Sequence, residues 1–288
     1  MSSPPPPRRS RLVAAVRWVG RLGHGLGLAP RLLVAAGFLT LALFYGCNTD
    51  MGGQPDKPRG DGVYRPVLAR GDGHLMFLMA RSLAYDGDLR FENDLARFGD
   101  PFRPAEGWTK RPTIPHPIGP PLVWIPMLWT AQGGAVVGNE FGAGIQLHGY
   151  TLWHQRIAFS SSVLAAFLAV GLGIALGRRL LGGRWAPSYA GVAILLGTSL
   201  TYYATFMPSY SHALDAGAVA AFLAAWAATL GRWDVRRVLL VGGLLGVAAL
   251  MRTQELGLGI VVAFEAALAL FAPPPEGMSP WRWRARDA

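Results

Sequence analysis

The chain has one cysteine, little charge and few acidic residues. With Cys47 alone, neither an intrachain disulfide nor a thiolate metal cluster can form within it. Charged residues make up 15% of the 288 positions against 51% hydrophobic, and the mean hydropathy is +0.28, which is too apolar for a soluble protein of this length. The net charge of +10 does not point to nucleic acid. Such binding needs a basic face with interleaved aromatics or a recognisable module, and here the arginines stand at the ends of apolar runs.

What the chain has instead is long apolar runs. Residues 32–46, 157–176, 188–206, 212–230, 238–250 and 256–272 read as six membrane spans, the first and fifth short for a hydrocarbon core. The expected fold is an all-α integral membrane protein: a multi-span helical bundle of about six spans, with a large first extracytoplasmic loop carrying amphipathic juxtamembrane helices. The division is a basic Pro/Arg-rich cytoplasmic tail (1–31), a first span (32–46), the extracytoplasmic loop (47–155), a bundle of about five spans (156–272) and a basic cytoplasmic tail (273–288).

Orientation follows from arginine placement, because short loops rich in Lys and Arg stay cytoplasmic. Arg8, Arg9, Arg11, Arg17, Arg21 and Arg31 precede the first span, and Arg178, Arg179 and Arg184 follow the second. Arg232, Arg236 and Arg237 follow the fourth, and Arg282, Arg284 and Arg286 the sixth. Both termini are then expected inside, in the inner membrane. The five prolines between Pro115 and Pro126 argue that HPIGPPLVWIPMLW is interfacial or re-entrant rather than a regular spanning helix. The apolar run at Leu32 follows too long a preamble for an ordinary signal peptide and reads as an uncleaved anchor. A lipobox at Cys47 fits poorly, because Tyr45 is bulky where small residues are wanted.

The outer loop holds the residues with chemistry. Between His74 and Tyr85, Leu75, Met76, Leu78, Met79 and Leu83 recur at helical spacing, which predicts an amphipathic helix on the membrane surface. Asp72 stands at its start, where a carboxylate can cap the helix or act as a general base. Asp86, Asp88, Asn93 and Asp94 are ordinary turn formers singly, and together they form an acidic cluster with His74, to which His116 returns. Asp72 with His74 could hold part of a divalent metal site, though a D-x-H triplet lacks further ligands. In the bundle, His212 and Asp215 share a helix face, with Tyr202, Tyr203, Ser209, Tyr210 and Ser211 around the same turn. Arg252 reads either as a snorkelling interfacial residue or as a clamp for a phosphate. Glu265 lies deeper, without an evident partner.

The order GDGHLMFLMARSLAYDGDLRFEND, HPIGPPLVWIP, LLGTSLTYYATFMPSYSHALDA, GLLGVAALMRTQE resembles bacterial membrane glycosyltransferases of the GT-C class. These are relatives of the dolichyl-phosphate-mannose protein mannosyltransferases and the lipid A aminoarabinose transferase. The resemblance covers about Leu32 to Phe271, in loose motifs, and is to an N-terminal portion of such enzymes. It implies sugar transfer, with inversion, from a polyprenyl-phosphate donor to an acceptor hydroxyl on the extracytoplasmic side. Asp72 would be the catalytic base, and His74, His116, His212 and Arg252 would bind substrate. Relatives usually carry Glu after that Asp, where this chain has Gly73 and His74, which leaves a divalent metal open. The implied partners are the lipid-linked donor, membrane lipids and a second chain completing the bundle. The rival readings are a non-catalytic scaffold or transferase fragment, and a small transporter.

Overall fold

The structure is a computed structural model describing residues 28–46, 68–99, 114–181 and 185–271. The tails, Cys47 and the acidic and basic residues between 47 and 67 and between 100 and 113 lie outside the described residues. Among the described residues the fold is all-helical, with ten α-helices and no strand. They are α1 Leu28–Gly46, α2 Asp72–Arg81, α3 Glu92–Phe98, α4 Gly119–Glu140, α5 Leu152–Leu181, α6 Ala186–Gly197, α7 Ser199–Thr205, α8 His212–Ala228, α9 Val235–Met251 and α10 Gly259–Phe271. A π-turn, Ser82–Asp86, extends α2, and a 3₁₀ segment, Thr253–Leu258, leads into α10.

Among the described residues, three helical stretches are long and apolar enough to cross a membrane: Leu28–Gly46, Leu152–Leu181 and Thr253–Phe271. Their outward faces are built for lipid. Phe38, Leu164, Ile260 and Phe264 are 60–71% exposed, a pattern that water would penalise and hydrocarbon favours. α5 is the axle of the bundle, packing against α4, α6 and α8, while α9 packs on α8 and α1 on α6.

The other expected spans differ in form. The run 188–206 is broken at Thr198, whose extended backbone separates α6 from α7. The break satisfies its own polar groups, since Thr198 Oγ1 donates to Ile194 O at 2.7 Å and accepts from Leu200 N at 3.2 Å. α8 and α9 each run 17 residues, and α9 starts at Asp234, whose carboxylate accepts from Arg237 N.

One expectation about the outer loop, the surface position of α2, is corrected. The Pro-rich segment forms a regular helix of 22 residues, α4, which is not among the stretches long and apolar enough to cross a membrane. Pro120 and Pro121 lie in its first turn, where backbone N–H groups have no intrahelical acceptor, so only Pro126 removes a helical hydrogen bond. Helix α2 is not a surface amphipath. Every residue from Gly73 to Arg81 is buried, because α4 covers one side of α2 and the rings of Tyr150 and Phe159 fill another. Phe77 is its centre, with ring centroids 5.1 Å from Phe159, 5.4 Å from Tyr150 and 6.3 Å from Trp124. Burial of such a ring contributes about 1.5–3 kcal/mol.

Candidate functional site

The site is built where α2 meets the turn between α7 and α8. The N-cap of α2 is Gly71, at φ 51°, and Asp72 is the first helical residue, exposed and with no role as the cap. A Cβ at Gly71 would collide with Tyr210 Oη, and one at Gly73 with the side chain and carbonyl of Ser209. The two glycines therefore let the backbone around Asp72 close against the 206–211 turn. Arg70 N donates to Ser209 Oγ at 3.2 Å, and Ser162 Oγ of α5 donates to Pro208 O at 2.6 Å, so the turn is held from both sides.

A polar cavity of about 540 Å³ opens beside this contact, and Asp72, His116, Tyr210, His212, Arg252 and Gln254 are among its walls. Four of the five residues singled out in the sequence, Asp72, His116, His212 and Arg252, thus line one space. They come from α2, the segment before α4, the start of α8 and the end of α9. Gly119 makes this convergence possible, because a Cβ there would run into Leu250 O and Met251 N at the end of α9.

The fifth residue lies elsewhere. His74 is 2% exposed within a cap formed by α2, α3 and residues 148–151, its Nε2 3.1 Å from Gly99 O and its Nδ1 hydrogen-bonded to Tyr150 Oη. The acidic cluster is likewise turned away from the cavity. Arg81 Nη1 binds Asp94 Oδ1 at 2.6 Å and Asp86 Oδ2 at 2.5 Å, Asn93 Nδ2 adds a 3.0 Å bond to Asp86, and Ser82 Oγ donates to the Asp88 carboxylate. Burial lifts the Asp94 carboxyl to about 6 against the opposing pull of Arg81. Burial and then the charges of Arg97 and Arg81 hold the His148 imidazole down to about 4. These groups fasten the cap together.

Arg252 sits where the helical backbone ends, at φ −152° and ψ 120°, which swings its side chain out of α9. Its Nη1 donates to His212 Nδ1 at 2.8 Å. With the Gln254 amide oriented oxygen-inward, Nε and Nη2 donate to that oxygen at 3.3 and 3.1 Å. Among the described residues no carboxylate lies within 4.0 Å of the guanidinium. An imidazole that accepts at Nδ1 is neutral with its proton on Nε2, so His212 offers a donor of its own. Asp215, one turn on, is buried with Oδ1 unpartnered and is not part of the cavity wall.

Sequence reasoning missed a second space. An apolar groove of about 590 Å³ runs between α5, α6 and the start of α8, floored by Ala169, Gly173 and Gly177 and faced by Ala190 and Ile194. Small residues recur every fourth position on α5, a signal visible in the sequence, but small residues normally mark close helix packing rather than open space. His212 lines both the groove and the polar cavity.

Among the described residues no three His, Cys, Asp or Glu side chains gather as a metal site. Glu265 acquires partners that the sequence did not suggest: Arg237 Nη2 at 2.5 Å, Trp226 Nε1 at 2.8 Å and Gly231 N at 2.8 Å. Comparison with protein families, curated proteins and solved structures finds no match.

Proposed function

We propose that this protein is a membrane glycosyltransferase that moves a sugar from a polyprenyl-phosphate donor to an acceptor hydroxyl on the extracytoplasmic face. The observation that carries the reading is the position of His212 at the junction of an apolar groove and a polar cavity. Such a junction suits an amphipathic anion, with its hydrocarbon tail along Gly173 and Ala190 and its phosphate at Arg252 and His212 Nε2–H. Among the described residues Arg252 is bonded only to neutral groups, so its charge is available to a ligand.

Asp72 supplies the base. As the acceptor oxygen bonds to the anomeric carbon, its proton passes to the Asp72 carboxylate. The bond between that carbon and the phosphate oxygen breaks, and the polyprenyl phosphate leaves with the electron pair, its charge stabilised by Arg252. Residence in the inner membrane, six crossings and cytoplasmic termini belong to the same proposal, on the arginine pattern of the sequence.

A second reading has one observation behind it. Helix α10 has no buried residue, so beyond the side that faces lipid it has room for a partner chain that completes the bundle. Photolabelling by a benzophenone-bearing isoprenoid phosphate tests the donor site. The expected crosslinks fall on the α5–α6 groove and are competed by unlabelled polyprenyl phosphate; crosslinks spread evenly over lipid-facing helices would contradict it.

A further inference from the structure

Tyr210 is, with His116, Ser211 and Thr253, one of the polar walls of the cavity that the proposed reaction leaves unused. Its ring is fixed on several sides: the centroid lies 6.1 Å from that of His212, nearly parallel at 11°, and 6.0 Å from that of Tyr203. Its backbone N–H is bonded to Met207 O at 3.2 Å, within the turn that Ser162 and Arg70 pin. The hydroxyl lies against Gly71, so close that no side chain fits there, and this sets its height beside Asp72. Among the described residues no side chain is hydrogen-bonded to that hydroxyl.

The cavity therefore sorts its polar groups by role. Arg252, His212 Nε2–H and the Tyr210 hydroxyl are donors, and Asp72 is a carboxylate acceptor. Burial, then the Asp72 charge, raises the phenol above its ordinary value, while the Asp72 amide draws it back. The phenol stays protonated and retains a hydrogen to give.

Resting on the anionic-lipid reading of this site, we propose that Tyr210 is a ligand-binding residue whose O–H donates to a phosphate oxygen held at Arg252. Tyr210 thereby fixes the position of that phosphate relative to Asp72.

The test measures Kd for farnesyl phosphate and for farnesol with the full chain in nanodiscs, comparing wild type, Tyr210→Phe and Arg252→Ala. The expected result for Tyr210→Phe is about tenfold weaker binding of farnesyl phosphate, the size of one hydrogen bond to a charged group, with farnesol affinity and thermal midpoint unchanged. Unchanged farnesyl phosphate affinity in Tyr210→Phe, with Arg252→Ala weakened, overturns the inference and leaves the anion site standing. Parallel loss of farnesol affinity or a lowered midpoint also overturns it, because the ring would then act by packing. If Arg252→Ala binds as wild type does, the anion-site reading falls, and the role of Tyr210 falls with it.

Discussion

Arg252 Nη1 donates to His212 Nδ1 at 2.8 Å, and this bond ties the end of α9 to the start of α8 at the mouth of the cavity. Because Arg252 also forks onto Gln254, the geometry needs a planar guanidinium rather than a point charge. Arg252→Lys is therefore expected to behave nearly as Arg252→Ala, each weakening farnesyl phosphate binding by about 10- to 100-fold in a titration. Full retention by the lysine variant would show that charge alone suffices.

The groove can be plugged from its own floor. A Cβ at Gly173 meets nothing within 4 Å, although the residue lines the space. Gly173→Phe should fold as well as wild type and lose photolabelling by the isoprenoid phosphate. Undiminished labelling would place the tail outside this groove.

Asp94 predicts a pH dependence. Its carboxyl, raised to about 6 in the folded protein from an ordinary unfolded value of about 4, favours folding when protonated. That contribution is complete below pH ~4 and is lost as pH rises through 6. Relative to wild type, Asp94→Asn should gain about 1.4 kcal/mol of stability per pH unit across that window, read as the difference in denaturation midpoints. A difference flat in pH would mean that the Arg81 contact holds the carboxyl near its unfolded value.

The Arg237–Glu265 pair lies largely out of solvent, at 2% and 12% side-chain exposure, whereas the neighbouring Arg232–Asp234 pair is exposed at 62% and 43%. Removing one partner of the buried pair leaves an uncompensated charge. Glu265→Leu should cost about 3 kcal/mol by thermal unfolding in detergent, while Arg232→Ala should be silent. Equal effects would contradict the burial argument.

Much of the helix content was legible because an apolar run with arginines at its ends has one physical reading. The helical character of 28–46, 152–181 and 212–228 follows from that pattern alone. The break at Thr198 was not legible, because its polar groups are satisfied locally and leave no mark on hydropathy. The regularity of α4 was not legible from its prolines, because position within the helix, not number, decides their cost. Asp72, His116, His212 and Arg252 stood out singly as polar groups beside apolar runs, and their convergence depends on Gly71, Gly73 and Gly119. His74 was paired with Asp72 as a possible metal or substrate ligand because it stands two positions on. On a helix that spacing turns the two side chains to different faces, and the buried face of α2 took it inward.

The most direct test of the account is transfer of label from radiolabelled polyprenyl-phosphate sugars, in membranes containing the wild-type chain or Asp72→Asn. The account predicts transfer by the wild type and loss of it in the variant, with donor crosslinking to the groove retained in both. Transfer that survives Asp72→Asn would contradict it.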